Sequence, residues 1–322
     1  MADGELRSLC ADLHELAYRS KEKSTSDKYS AAFLRWRKWA DKFPEVEPIP
    51  AKPLHVAAYL NHLSKTSGFS AVQSAFYSIS WFHRLADVPD PTEHNLPRQV
   101  KEGIKRKSGK AVNSKSHATP DLVRDIISMS LHSNQLIDLR LAAMTALSYS
   151  GFLRFNDVSN LTVRDLDFHE ERLILKIRKS KTDVYSQGQS VIIARSGNTT
   201  CPVGLLENYL RRTSSATQDP SSFVFRSIHG TGHKAKLRVQ NKPITYSRAR
   251  EVFLAAVKRL GYNEKKFGLH SLRSGGATAA ASAGVDHSRL KKHGRWKSDS
   301  AKDMYIRPSF EQMEEVSKST GL

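Results

Sequence analysis

Leu269-His-Ser-Leu-Arg-Ser-Gly-Gly-Ala-Thr278 and, further on, His293-Gly-Arg-Trp-Lys-Ser-Asp-Ser-Ala-Lys-Asp-Met-Tyr305 are the two stretches on which the reading of this chain turns. In the first, His270 and Arg273 sit three residues apart, so one helical turn points both to the same side. Arginine suits a phosphate because its rigid fork gives two parallel hydrogen bonds, and histidine gives or takes a proton near neutral pH. Alone, the pair also describes a surface histidine beside a surface arginine. The second stretch adds Trp296 and Tyr305. Phosphoryl transfer without metal or nucleotide needs a nucleophile, cationic donors for the non-bridging oxygens and a proton source for the leaving oxygen. The C-terminal part of the chain offers all three within a short span.

Outward from there the chain is mainly helical, and the expectation is a mainly α fold in two parts. Tyr29, Phe33, Trp36, Ala40 and Phe43 recur at spacings of four and three, which predicts one face of a helix capped near Ser26. A second helix after Pro53 carries Val56, Tyr59, Leu60 and Leu63. A third holds Val72, Phe76 and Ile79 and runs into Trp81-Phe82, and a fourth spans roughly Pro97 to Lys105. Four short amphipathic helices make a bundle, with the aromatics as its core. From Gly103 to Pro120 there is no acidic residue, while Lys105, Arg106, Lys107, Lys110 and Lys115 are interleaved with Ser, Gly and Asn. That composition reads as a basic linker lying along phosphates. Thr119-Pro120 is an N-cap followed by proline at the first helical position, and helices follow to about Ser150. Leu173, Leu175 and Ile177 alternate with Lys176 and Arg178, and Ser190-Val-Ile-Ile-Ala194 gives a second strand, a hairpin with a basic tip. Beyond about Tyr246 the chain is helical again, with loops at Phe267 to Leu269 and near His293-Gly294. The expected domains are a helical bundle over 1–105, a linker over 106–118 and a mixed α+β domain with a small β-sheet or hairpin over 119–322.

The 322 residues carry 51 Lys and Arg against 32 Asp and Glu, a formal net charge of +19. A compact state repels itself at that charge, which points to a polyanionic partner, nucleic acid first. No segment has the apolar length to span a bilayer, and MADGELRSLC lacks the apolar core of a secretory signal, so a soluble intracellular protein is expected. Cys10 and Cys201 lie far apart and outside any metal-ligand spacing. His229-Gly-Thr-Gly-His233 reads as a flexible loop rather than a metal site. Neither GxxxxGK[ST] nor GxGxxG occurs, so ATP-driven chemistry is not supported and no cofactor is expected.

The second stretch resembles the tyrosine recombinase (phage integrase-like) family, whose signature is HxxR, then His or Trp, then a nucleophilic Tyr. Arg273 to Trp296 is 23 residues and Trp296 to Tyr305 nine, both fitting gaps. The resemblance covers about Thr119 to Arg307, and the N-terminal bundle looks like the family's core-binding domain. Gly151-Phe-Leu-Arg154 matches the segment that holds the family's first arginine, with Phe where Gly is common. Asp157 stands where the family has an acidic buttress. The hairpin lysine is Lys181, in Lys-Ser-Lys-Thr-Asp, or Lys179 two residues earlier. Trp296 takes a position where His is commoner, and His293 falls to a structural or backbone-contacting role.

What the resemblance implies is an enzyme that cuts and rejoins DNA through a 3′-phosphotyrosine on Tyr305, without metal or ATP. Arg154 and Arg273 would clamp the non-bridging oxygens, Lys181 protonate the leaving 5′-oxygen, His270 and Trp296 assist, and Asp157 orient the others. It implies double-stranded DNA as partner, a homo-tetramer on two DNA sites that is monomeric in free solution, a Holliday junction intermediate, and a tail (Ser309 to Ser317) that docks on a neighbouring subunit. The sequence resembles mobile-element members, which places the protein in the nucleus of a eukaryotic host and otherwise in the cytoplasm. A catalytically silent DNA-binding derivative and a type IB topoisomerase-like enzyme are the alternatives.

Overall fold

The computed structural model describes residues 13–109, 115–178, 188–214, 218–307 and 310–320. The chain divides into two compact units, Met1–Val112 and Asn113–Leu322. No helix among the described residues is long and apolar enough to cross a membrane.

The first unit is all helical: α1 (Leu13–Tyr18), α2 (Lys23–Ala40), α3 (Pro53–Thr66), α4 (Phe69–Leu85) and α5 (Asn95–Lys107). Trp36, Val56, Leu60, Val72 and Ile79 are buried in one core, so the apolar stripes of α2, α3 and α4 face each other as their periodicity requires. Three details differ from expectation. Ser26 does not cap α2; it is buried inside the helix, its hydroxyl turned to the Tyr18 carbonyl at 3.3 Å, and Glu22 precedes the first turn without a side-chain cap. The helix stops at Ala40, leaving Phe43 half-exposed against Trp39. Helix α5 runs through Lys107, so Lys105, Arg106 and Lys107 belong to its last turn and not to a linker. Cations there meet the negative end of the helix dipole.

The second unit is built around α7 (Leu136–Ser150), which follows α6 (Pro120–Ser133). Thr119 caps α6 by accepting the Leu122 N–H at 3.3 Å, with Pro120 in the first turn. Helix α7 is covered on every side and is mostly apolar, its buried Arg140 donating to the Arg226 carbonyl at 2.7 Å. Leu139, Ala143 and Leu147 pack toward a three-stranded antiparallel sheet, β1 (Leu166–Phe168), β2 (Arg172–Ile177) and β3 (Gln189–Ala194), and toward α9 (Pro202–Thr213). Leu141, Ala142 and Ala146 pack with α6, α10 (Tyr246–Arg259) and α11 (His270–Ser282). In the sheet, Leu173 pairs with Ile193 and Leu175 with Val191, which puts the alternating apolar residues on one buried face. Strand β1 extends the expected hairpin, its Leu166 opposite Leu175.

Residues 115–118 are not a free tether. The Ser116 N–H donates to the Lys266 carbonyl at 2.7 Å and that of Ala118 to Ser271 at 2.9 Å, while the Lys115 ammonium donates to the Lys265 carbonyl. His229 lies in a two-stranded turn, β4 (Ile228–His229) with β5 (Lys236–Leu237), rather than a loose loop. The described residues contain no cluster of three or more His, Cys, Asp or Glu side chains able to hold a metal. After α11 come α12 (His287–Gly294), α13 (Asp299–Asp303) and α14 (Phe310–Lys318).

Candidate active site

Three chain turns meet at the C-terminal end of α7. The first is the exit of α7 itself. Phe152 adopts φ 45°, a left-handed conformation that costs a bulky residue roughly 1–2 kcal/mol. Its ring is buried edge-on against His293, at 4.7 Å between centroids, which offsets part of that cost. The turn leads to Arg154, which precedes α8 (Phe155–Ser159); the Arg154 backbone N–H donates to Asp157 Oδ2 at 3.0 Å.

The second is the start of α11. His270 opens the helix and Arg273 lies one turn in, completely buried. One terminal nitrogen of Arg273 donates to the Phe152 carbonyl and the other to the Gly294 carbonyl at 2.6 Å. Gly275 and Gly276 make this depth possible. A Cβ on either would overlap a carbonyl, of Ala118 and Tyr149 respectively, so α11 sits closer to its neighbours than any side chain allows. Burial first, then the charge of Arg154, pulls the Arg273 pKa down to about 10.

The third is the end of α12. Arg295 closes that helix with φ 55°, and Trp296 turns back under it, so that a Cβ on Gly294 would lie inside the indole. His293 donates from Nε2 to the Ser150 carbonyl at 2.8 Å, and burial holds its pKa below the usual histidine value. Tyr305, after α13, completes the cluster. Its hydroxyl lies 3.1 Å from His270 Nε2, and its ring is 5.2 Å from that of Trp296. The Arg273 guanidinium carbon is 4.8 Å from the Trp296 ring and 4.9 Å from the Tyr305 ring.

The structure therefore brings together Arg154, Asp157, His270, Arg273, Trp296 and Tyr305. Lys179, Lys181 and Lys110 lie outside the described residues. The base of the β2–β3 connection is described: Arg178 pairs there with the buried Asp165.

Four buried N–H donors of this cluster have no acceptor among the described residues: Arg154 Nη1, Arg273 Nε, Arg295 Nε and Trp296 Nε1. A buried unpaired donor typically costs about 1–3 kcal/mol. Several in one place, all donors and three of them on cations, suit a ligand that only accepts, which is the character of a phosphate. Two members have no assigned part in the motif reading. Arg295 is buried and pairs with Asp157 at 3.0 Å. Thr278 donates its hydroxyl to the Tyr305 carbonyl at 3.0 Å and accepts the Arg307 N–H at 3.3 Å. Nothing in their spacing marks them, since both act on backbone that is remote in sequence.

Comparison with known proteins places the chain in a family. The chain is 26% identical over 299 residues to an integrase/recombinase xerD homolog of Selenomonas ruminantium, covering 90% of this chain and 84% of that protein. It is 24% identical over 288 residues to the recombinase cre of Escherichia phage P1, covering 84% and 80%. A lambda integrase tetramer bound to a Holliday junction has the same fold, with a TM-score of 0.60 at 16% identity over 94% of this chain and 77% of that one. The model of the phage integrase family matches residues 116–312, more than half of the chain and the whole of the cluster just described. The protein belongs to the phage integrase family of tyrosine recombinases.

Proposed function

We propose that this site-specific recombinase cuts and rejoins double-stranded DNA through Tyr305. The tyrosine oxygen attacks a scissile phosphate in line. A Tyr305–phosphorus bond forms as the bond to the 5′-oxygen breaks, leaving a 3′-phosphotyrosine and a free 5′-hydroxyl. The phosphodiester energy is kept in the covalent intermediate, so rejoining by another 5′-hydroxyl needs no ATP. His270, beside the phenol, takes its proton, and Lys181 supplies one to the leaving oxygen. Arg154 and Arg273 stabilise the charge on the non-bridging oxygens; a preorganised donor of this kind is worth on the order of 10²–10³ in rate. Trp296 donates one hydrogen bond and packs, since an indole has no acid–base role. Asp157 orients the turn bearing Arg154.

The observation that carries this reading is the Tyr305 hydroxyl at 3.1 Å from His270, in a cluster where four buried donors have no acceptor among the described residues. The lambda integrase tetramer on a Holliday junction supports a homo-tetramer on two DNA sites here, with strands exchanged in pairs. The net charge of +19 supports a DNA substrate, with Lys105, Arg106, Lys107, Lys110, Lys115 and Lys179 as phosphate contacts. Such work belongs in the nucleus of a eukaryotic host, or otherwise in the cytoplasm. The test is covalent trapping on a library of nicked duplexes without added metal. Wild-type protein forms a denaturation-resistant DNA adduct and Tyr305→Phe forms none. DNA binding without an adduct would place the chain among non-catalytic DNA-binding proteins.

A further inference from the structure

Arg295 stands where the backbone favours glycine. It is in the left-handed region at φ 55°, and its side chain is buried beside two further arginines. Both features are unfavourable, so the compensation must come from what the guanidinium touches. Nη2 donates to Asp157 Oδ2 at 3.0 Å and to the Phe152 carbonyl at 3.4 Å. Nη1 donates to the Gly151 carbonyl at 3.4 Å and to the His293 carbonyl at 3.3 Å. Two of the four acceptors lie in the turn that delivers Arg154, and a third, Asp157, in the helix that Arg154 opens. The oxygen of Asp157 that Arg295 holds is the same one that accepts the Arg154 backbone N–H. The next residue after Arg295 is Trp296.

We propose that Arg295 is a positioning residue for DNA cleavage: its guanidinium ties the turn bearing Arg154 to the turn bearing Trp296, and so aims Arg154 at the scissile phosphate. This rests on the reading of Tyr305 as the nucleophile. Asp157 as a buttress follows from the family pattern; the arginine that holds Asp157 from the far side does not. The contribution is geometric rather than electrostatic. Toward Arg273, Arg295 and Asp157 act with opposite signs, so the pair changes the local charge little. Both terminal nitrogens of Arg295 are committed to protein acceptors and only its Nε has none among the described residues, whereas in Arg154 it is the terminal Nη1 that has none. A misplacement of about 1 Å in a reacting constellation costs on the order of 10²-fold in rate, so loss of the tie is expected to register in cleavage and not in binding.

The test uses a nicked duplex selected by covalent capture with the wild-type protein from a random library. Failure of the wild type to form any adduct would sink the nucleophile assignment and leave Arg295 out of the question. Given an adduct, single-turnover cleavage, duplex affinity and melting temperature are measured for Arg295→Gly, Arg295→Lys, Arg154→Ala and the double variant Arg295→Gly/Arg154→Ala. Glycine also relieves the left-handed backbone, so that variant should fold. Arg295→Gly is expected to bind DNA within about three-fold of wild type but to cleave roughly 10–100-fold more slowly, with Arg295→Lys in between. The double variant should cleave no more slowly than Arg154→Ala alone, because a residue acting through Arg154 has nothing left to position. Wild-type cleavage by Arg295→Gly would overturn the proposal. So would a double variant slowed by the product of the two single effects, which would mean that Arg295 acts independently of Arg154. Should Arg295→Gly not fold, the same comparison with Arg295→Lys decides.

Discussion

Tyr305 is held by its backbone as well as by its ring. The Thr278 hydroxyl is the clip: it donates to the Tyr305 carbonyl at 3.0 Å and accepts the Arg307 N–H at 3.3 Å, across the site from the start of α11. Thr278→Val keeps the shape and removes both of these bonds. The expected loss is about 1–3 kcal/mol of stability. Adduct formation should slow roughly ten-fold while DNA affinity is kept, because the phenol drifts relative to the phosphate. Thr278→Ser, which restores the hydroxyl, should recover most of the rate. Single-turnover cleavage and thermal melting of the two variants check this, and unchanged cleavage in Thr278→Val would contradict it. At this scale the sequence was informative about the side chains proposed for the chemistry and silent about those that hold backbone. The order and gaps of His270, Arg273, Trp296 and Tyr305 are visible in one dimension. The bonds from Thr278 and Arg295 close only when turns more than twenty residues apart in the chain are folded together.

Among the elements, periodicity was a good guide wherever a helix or strand was long enough to show it. The faces of α2, α3 and α4 and the alternation of β2 followed from their apolar spacing, and the start of α6 from Thr119-Pro120. It failed where a pattern has more than one physical solution. Lys105, Arg106 and Lys107 suit a linker by composition, but lysine and arginine are also good helix formers, and α5 continues through them. Ser26 has the chemistry of a cap and is instead a buried helix residue. Two- and three-residue strands such as β1, β4 and β5 are too short to leave a period. One element carries its own pH dependence. His83 in α4 is completely buried; Nε2 accepts the Ala51 N–H at 2.9 Å and Nδ1 donates to the Ile79 carbonyl at 2.7 Å. Accepting the Ala51 N–H needs the neutral ring, and burial lowers its pKa below 6.5 against the Ile79 bond, which either form of the ring can make. The unfolded chain therefore takes up a proton that the folded one refuses. This histidine's contribution is complete above pH 6.5 and fades as pH falls toward the folded-state pKa. Melting temperature is expected to drop from pH 7 to pH 5.5, and to drop less in His83→Gln, which starts lower. Equal slopes for the two proteins would rule His83 out as a source.

For the whole molecule, the charge of +19 and the tail define what the chain does in company. Helix α14 presents Met313 at 60% and Val316 at 70% exposure, with Glu314 and Glu315 beside them. An exposed apolar stripe on a short helix is a candidate for burial elsewhere, and docking on a neighbouring subunit is the proposal for it. A variant ending after Pro308 should still form the Tyr305 adduct on a single duplex, since α14 supplies none of the residues assigned to the chemistry. It should fail to assemble on paired sites and to complete strand exchange. Normal assembly by that variant, followed by gel shift and recombinant product, would refute the docking role. All of this depends on the bond between Tyr305 and DNA, and that bond can be seen directly. Trypsin cuts after Lys302 and next after Lys318, because the Arg307–Pro308 bond resists it, so the nucleophile lies in the peptide Asp303–Lys318, whose one tyrosine is Tyr305. Mass spectrometry of the trapped and nuclease-trimmed adduct should find that peptide carrying a nucleotide 3′-phosphate on Tyr305, with a free 5′-hydroxyl on the released strand. The nucleotide on any other peptide, or a 5′-phosphate linkage, would contradict the mechanism.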